Sequence, residues 1–429
     1  MIDHFRATGF ATNLVYIVGA GLALRGLWAI LIPVIPISDA NVYWVAANNI
    51  AEYGVYGLEP NEPFSYWAVG TSAIYAPFLW VFGPTVNAVI LVNLIAGGAL
   101  VWSTGLLGRR WINERTGLLA ASIIALWPTL IFYTTIVASE VLFAAAINLG
   151  LLLWGGKKGS SGRWGFVSGI AFGIAALIRP TGALVLVIIG ALDALRSRSI
   201  VSVISPTILA VLSFGLVVTP WSVRNTELHG EFVFISTNGG PNLWMGNNPE
   251  SNGGYEPLPD WTQGMSEIER AQILGERATT FMLDDPLRTT VLFFRKLIDT
   301  HATETIGVVW NTDGIKERFD ERAILPLKAL TQAYWTLVLA SALAGALIVC
   351  ASAWRANSLL DQLTVLASPP LVLWAYFAFV HAIVVSQDRY HLQSAAFIAM
   401  LSAGAVVSLS DRVKNRRASQ DLSTESPAK

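Results

Sequence analysis

The chain has 429 residues, 54% of them hydrophobic and only 13% charged, with a formal net charge of −1 and a mean hydropathy of +0.54. Soluble globular domains carry about a quarter charged residues, so this composition excludes a soluble enzyme, a disordered chain and a single-anchor receptor. The near-neutral balance argues against nucleic acid as a partner, and the single Cys350 lies in an apolar run, so no intramolecular disulfide forms. What remains is an all-α polytopic membrane protein.

Crossing the hydrocarbon takes about 20 mostly apolar residues. The first such run, Thr12 to Pro33, reads as a retained anchor helix and not as a cleaved signal. Others lie near Thr85–Leu107, Leu118–Val137, Val141–Trp154, Gly165–Leu177, Gly182–Leu195, Ile200–Pro220, Leu330–Ala351, Leu360–Val385 and Leu392–Leu409. That predicts about ten transmembrane helices, with the pairs around Gly155 and Arg179 short. Arg109, Arg110, Arg115, Lys157, Lys158, Arg163, Arg196, Arg198, Arg355, Arg412, Lys414, Arg416 and Arg417 all fall on the side of the N-terminus. The first loop on the other side, 34–84, carries Asp39, Glu52, Glu59 and Glu62 and no Lys or Arg. The positive-inside rule then places both termini in the cytoplasm and this loop outside a plasma (bacterial inner) membrane.

Four regions follow: an N-terminal transmembrane module over 1–220 containing the loop 34–84, an outer region over 221–329 between the seventh and eighth spans, C-terminal spans over 330–410, and a polar tail over 411–429 expected to be disordered. The outer region combines turn-rich clusters (Asn238–Pro241, Gly246–Pro249, Asn252–Pro259) with a helical stretch, Ser266–Met282. An amphipathic stretch follows, Pro286–His301, whose Leu287, Val291, Leu292, Phe294 and Ile298 suit a helix lying on the membrane surface. The region is expected to rest on the membrane part. No internal repeat is evident, which weighs against inverted-repeat transporters.

Two acids stand at outer boundaries. Asp39 follows the first span in Ser38-Asp39-Ala40-Asn41. It reads either as the N-cap of a helix over Ala40–Glu52 or as a general base or metal ligand placed to meet a lipid-borne substrate. Glu140, in Ala138-Ser139-Glu140-Val141, opens the fourth span. It reads either as a first-turn acid favoured by the helix dipole with Ser139 as cap, or as a functional acid, since a carboxylate beside hydrocarbon needs a cavity or a partner. Arg179, Arg224 and Arg389 lie at the same boundary. Snorkelling or structural pairing accounts for such residues, yet a guanidinium held there also suits a phosphate. The loop Ile235–Pro249 is rich in amides, with Trp244 and Asn247 among them. It reads as Asn-capped turns or as a sugar-binding surface of amides and an indole.

In order, Ser38-Asp39 with Tyr43, Ser65-Tyr66-Trp67-Ala68-Val69-Gly70, Ala76-Pro77-Phe78, Ser139-Glu140, Arg179-Pro180-Thr181-Gly182, Pro220-Trp221-Ser222-Val223-Arg224-Asn225, Ile235–Asn248 and Asp388-Arg389-Tyr390 resemble the GT-C glycosyltransferase superfamily. The likeness, from about Gly21 to Leu401, is to the group of dolichyl-phosphate-mannose–protein mannosyltransferases and lipid A aminoarabinose transferase. It implies surface helices at Asp39–Tyr53 and Ser72–Phe82. It further implies an inverting transfer from a polyprenyl-phosphate sugar donor to a lipid, glycan or protein acceptor on the outer face. Asp39 and Glu140 match the superfamily's two acids, and Tyr43, Trp244 and Asn247 are expected on the substrate side. Two departures, Ala40 where many members carry Glu and Val69 where they carry Pro, leave open whether a divalent metal is used. Asp39 and Glu140 are the residues that would hold one, with Glu62 as a further ligand, and no cofactor is assigned.

The expected chemistry has Asp39 as base and Arg389, then Arg179 and Arg224, on the donor phosphate, with membrane lipids around the chain. The alternatives are a lipid-linked oligosaccharide flippase or transporter, which would carry its ionisable groups near the midplane, and a polysaccharide polymerase, which would rest on outer-loop arginines.

Overall fold

The computed structural model describes residues 9–154 and 162–424, and Lys157, Lys158 and the side chains of Arg416 and Arg417 lie outside the described residues. In chain order the helices are α1 (Phe10–Leu31), α2 (Asp39–Tyr53), α3 (Gly70–Phe82), α4 (Val86–Trp111), α5 (Glu114–Leu126), α6 (Pro128–Phe132), α7 (Glu140–Leu153), α8 (Gly162–Ile178), α9 (Ala183–Ser197) and α10 (Val201–His229). The segment 230–323 supplies α11 (Gly239–Asn247), α12 (Glu267–Asp284), α13 (Pro286–Ala302), α14 (Ile306–Val309) and α15 (Thr312–Phe319). The chain closes with α16 (Ile324–Trp354), α17 (Leu359–Leu366), α18 (Pro369–Ile383) and α19 (Ala395–Thr424). One short antiparallel hairpin, Gly57–Glu59 with Glu62–Pro63, interrupts the first outer loop.

Among the described residues, six helices are long and apolar enough to cross a membrane, and two bent pairs bring the number to eight. The chain is thus an all-α, multi-pass membrane protein. The expected surface helix Asp39–Tyr53 has those bounds, and the second begins two residues early, at Gly70. Two expected continuous spans are broken: Glu114–Leu126 meets Pro128–Thr135 at 56°, and Leu359–Leu366 meets Pro369–Ile383 at 69°. Each break falls at proline, which has no N–H to donate to the preceding turn. At the first break the carbonyls of Ile124 and Ala125 are taken up by the Arg25 guanidinium, at 3.1 and 3.2 Å. A buried cation in a spanning helix thereby satisfies backbone that lipid cannot. The tail expected to be disordered from 411 instead continues α19 to Thr424.

Small residues set the closest helix contacts. On α8, a Cβ at Gly165, Gly169 or Gly173 would lie 2.3 Å from Pro206 O, 2.1 Å from Ala210 O and 2.8 Å from the Val217 Cβ. This four-residue spacing lets α8 seat against α10 with backbone nearly touching backbone. A Cβ at Gly70 would lie 2.5 Å from Ile178 N, so the start of α3 abuts the turn that carries Arg179. At the opposite end, Arg115 pairs with Asp411 at 2.8 Å, Arg198 pairs with Asp361, and Arg196 donates to Ala367 O at 3.3 Å. These contacts tie the start of α5 to α19, and the end of α9 to α17.

The segment 230–323 is pinned onto the apolar helices. Lys296, buried on α13, donates to the Asn247 Oδ1 at 2.8 Å and Ile383 O at 2.7 Å, and burial lowers its ammonium to about 8. Leu287, Val291, Phe294 and Ile298 stay exposed on the opposite face of α13, spaced by four, three and four residues as one apolar stripe.

Candidate active site

Four separate parts of the chain bring four charged side chains together: Asp39, Arg179 and Arg389 line a cavity of about 1170 Å³, and Glu140 lies buried behind them. Ser38 takes a φ of 51°, costly for a residue with a Cβ, and α2 begins directly at Asp39 with no side-chain cap. The expected capping role of Asp39 is therefore corrected: its Oδ2 accepts from the Arg389 Nη2 at 2.6 Å. The Arg389 Nε lies 3.6 Å from the Glu140 Oε1 and donates to the Gln387 Oε1 at 2.7 Å. The same Glu140 oxygen accepts from the Arg179 Nη2 at 2.5 Å. Ser139 does not cap α7 with its side chain either; its Oγ accepts from the Arg179 Nε at 2.9 Å.

Glu140 is 1% exposed, Arg389 9% and Arg179 15%, whereas Asp39 is open to 28%. The chain of charges, Asp39–Arg389–Glu140–Arg179, is thus neutral, largely desolvated, and wet only at the Asp39 end. Burial works against the charge of Arg389, but Glu140, Tyr390 and Asp39 together hold its pKa above the ordinary value, so it stays cationic. Its guanidinium lies 4.6 Å from the Trp310 ring centroid, and a cation over an indole face is further stabilised. Tyr43 also lines the cavity. Burial, then Asp39, raise its phenol, which keeps it a hydrogen-bond donor.

Polar contacts behind the wall hold these groups. Asn93 donates to the carbonyls of Tyr133, Thr134 and Ile136 at 3.3, 3.0 and 2.9 Å and accepts from the Tyr75 hydroxyl at 2.6 Å. It thereby fixes the turn that leads into Glu140. Asn311 donates to Phe132 O and accepts from the Thr135 hydroxyl, which seats Trp310 against the site. Glu304, fully buried, accepts from the Trp127 indole at 2.6 Å and faces the His391 Nε2 at 2.9 Å, while the His391 Nδ1 donates to Thr300 O. This anchors the residues after Arg389.

Three expected site residues lie elsewhere. Arg224 donates to Phe64 O at 2.8 Å and Tyr56 O at 3.3 Å, clamping the segment between α2 and α3. Asn247, buried, donates to Leu243, Ile383 and Val384 carbonyls. Trp244 sits edge-on to Trp261 at 6.1 Å. None of the three lines the cavity, whereas Trp310, His381, Asp388 and Tyr390 do. Aromatic residues beside Arg389 in sequence were the available signal for Tyr390; nothing local marks Trp310.

Among the described residues, no three His, Cys, Asp or Glu side chains converge as a metal site. Asp39 and Glu140 each face a guanidinium. Their arrangement suits two arginines and does not fit a divalent cation, so no step is derived through one.

Residues 68–223 match the family model of dolichyl-phosphate-mannose-protein mannosyltransferase. No curated protein matches in sequence. Among solved structures, the apo oligosaccharyltransferase of Archaeoglobus fulgidus aligns with a TM-score of 0.57 at 15% identity, covering 98% of this chain and 52% of that one. The same archaeal enzyme in complex with an inhibitory peptide and a dolichol-phosphate aligns at 0.54 and 14%, covering 99% and 53%. ArnT from Cupriavidus metallidurans bound to undecaprenyl phosphate aligns at 0.43 and 13%, covering 91% and 77%. The chain spans about half the length of the archaeal enzyme. The family match is thus confined to residues 68–223, while the fold of the archaeal oligosaccharyltransferase extends over nearly the whole chain.

Proposed function

We propose that this protein is an inverting glycosyltransferase that moves a sugar from a polyprenyl-phosphate donor to an acceptor on the outer face of the membrane. The observation that carries the reading is the Asp39–Arg389–Glu140–Arg179 chain, whose Asp39, Arg389 and Arg179 line the cavity while Glu140 pairs with both arginines behind it. An acceptor O–H or N–H attacks the anomeric carbon, its proton passes to Asp39, and the bond from that carbon to the phosphate oxygen breaks. The polyprenyl phosphate leaves with an added negative charge. Arg389 and Arg179 are already in place to meet that charge, and preorganised cations at a developing anion lower the barrier. Asp39, the most solvent-exposed member, is the one an acceptor reaches. Glu140 fixes both guanidiniums. Arg224 acts indirectly, by holding the loop that closes the cavity.

The complex of the archaeal oligosaccharyltransferase with a dolichol-phosphate supports a lipid-phosphate donor. Counting α7 and α8, 14 and 17 residues long, as crossings beside the eight spans gives the ten-span topology. Both termini are then cytoplasmic in a bacterial inner membrane. The four-region division at 220, 329 and 410 is proposed on the same grounds.

The test is transfer of labelled sugar from a panel of polyprenyl-phosphate sugars in detergent. Product from at least one donor is expected. Movement of a lipid-linked glycan in liposomes without any transfer would instead support the flippase reading.

A further inference from the structure

The same cavity holds one cation that the ion-pair chain does not use. Arg270, on α12, lines the cavity with its guanidinium 5.5 Å from the Tyr66 ring centroid. Its Nε is buried and has no hydrogen-bond partner. Among the described residues no carboxylate lies within 4.0 Å of it. Glu267, one turn earlier, is engaged elsewhere: its Oε2 accepts from Ser65 N at 3.0 Å and the Thr237 hydroxyl at 3.1 Å and faces the His229 Nε2 at 3.7 Å. A guanidinium with a desolvated, unpaired N–H is costly to keep, and an anion from outside the chain relieves that cost.

The surroundings say what carries the anion. Tyr66 and Trp67 meet edge to face at 4.5 Å beside Arg270, and Asn238 and Asn242 line the same cavity. Aromatic faces with amides beside them suit a carbohydrate: rings cover its C–H groups, and amides bond its hydroxyls. Arg270, Asn238 and Asn242 come from the chain after α10, and Tyr66 and Trp67 from the segment between α2 and α3, whereas Asp39, Glu140, Arg179 and Arg389 form the separate ion-paired cluster. Resting on the glycosyltransferase reading, we propose that Arg270 with Tyr66 and Trp67 forms an acceptor subsite for an anionic glycan, its negative group a carboxylate or a phosphate. A neutral acceptor leaves Arg270 unpaired, and an acidic one completes it.

The test measures binding, so it does not depend on turnover. The full chain in neutral detergent is titrated with trigalacturonate against maltotriose and with mannose 6-phosphate against mannose, followed by tryptophan quenching. Wild type is expected to bind the acidic member of at least one pair about 10- to 100-fold more tightly, the range for one charge-assisted hydrogen bond. The pair that shows the preference identifies carboxylate or phosphate as the source. Arg270→Gln should abolish the preference, Arg270→Lys should retain part of it, and rising salt should weaken it in wild type. Equal binding of acidic and neutral probes overturns the proposal. So does a preference that survives Arg270→Gln, or one that salt leaves unchanged. A protein that discriminates these probes but transfers no sugar would refute the reaction and leave the subsite standing.

Discussion

Arg389 is the residue whose loss the structure prices most directly. Its guanidinium sits between Asp39 at 2.6 Å and Glu140 at 3.6 Å, only 9% exposed. Arg389→Gln changes the cluster from two acids and two cations to two acids and one, stranding a negative charge in a desolvated wall. Removing one partner of a fully buried pair costs about 3–5 kcal/mol. Here Glu140 keeps Arg179, and water screens the 28%-exposed Asp39, so about 2 kcal/mol is expected. Turnover should fall further, about 10²–10³-fold, as when one preorganised donor to a developing oxyanion is removed. Unfolding in detergent reads the first quantity, and transfer from a polyprenyl-phosphate sugar reads the second. Adding Asp39→Asn to Arg389→Gln should recover stability, because the stranded charge goes, while turnover stays low. An Arg389→Gln variant that unfolds like wild type and transfers sugar at the wild-type rate would show that Arg389 neither balances the two acids nor assists the reaction.

Arg25→Leu should destabilise the protein by at least about 2 kcal/mol, since it leaves the carbonyls of Ile124 and Ala125 unsatisfied at the proline break; an unchanged unfolding midpoint would show that the break satisfies itself. Arg224→Ala should expose the first outer loop to protease while leaving donor affinity little changed, because its hydrogen bonds go to Phe64 and Tyr56 carbonyls; loss of donor binding with an intact loop would restore it to the phosphate site. The His301 Nδ1 donates to Leu297 O and its Nε2 accepts from the Trp374 indole at 3.0 Å, and burial lowers its pKa to about 4. The unfolded chain binds this proton from about pH 6.5 downward and the folded chain does not. Stability should therefore fall as pH drops from about 6.5 to 4, by up to about 3 kcal/mol, and His301→Gln should flatten that slope.

How much of this was legible depended on whether the signal was local. A helix over Ala40–Glu52 reads from the residues and its bounds Asp39–Tyr53 from the resemblance; it stops at Gly54, which takes a φ of 69°. Asp39, Glu140, Arg179 and Arg389 were identifiable as charges that hydrocarbon does not tolerate without partners. The bends at Pro128 and Pro369 were marked by proline, but an apolar count over the window hides a change of direction. Which arginine meets which acid was not legible: the Asp39–Arg389 pair joins residues 350 positions apart. The same limit misplaced Arg224 and Asn247, whose partners are backbone carbonyls, groups every residue has. Arg270 was invisible for another reason. One arginine in a polar helix such as Glu267–Asp284 looks solvated until Tyr66 and the cavity are brought beside it.

The most direct test of the central claim is transfer of labelled sugar from a polyprenyl-phosphate donor by wild type against Asp39→Asn, with insertion and folding verified for both. Wild type should transfer sugar measurably and the variant at least about 10²-fold more slowly, the lower range for a general base. Transfer by Asp39→Asn at the wild-type rate would contradict it, because the one acid of the cluster open to an acceptor would then have no part in the reaction.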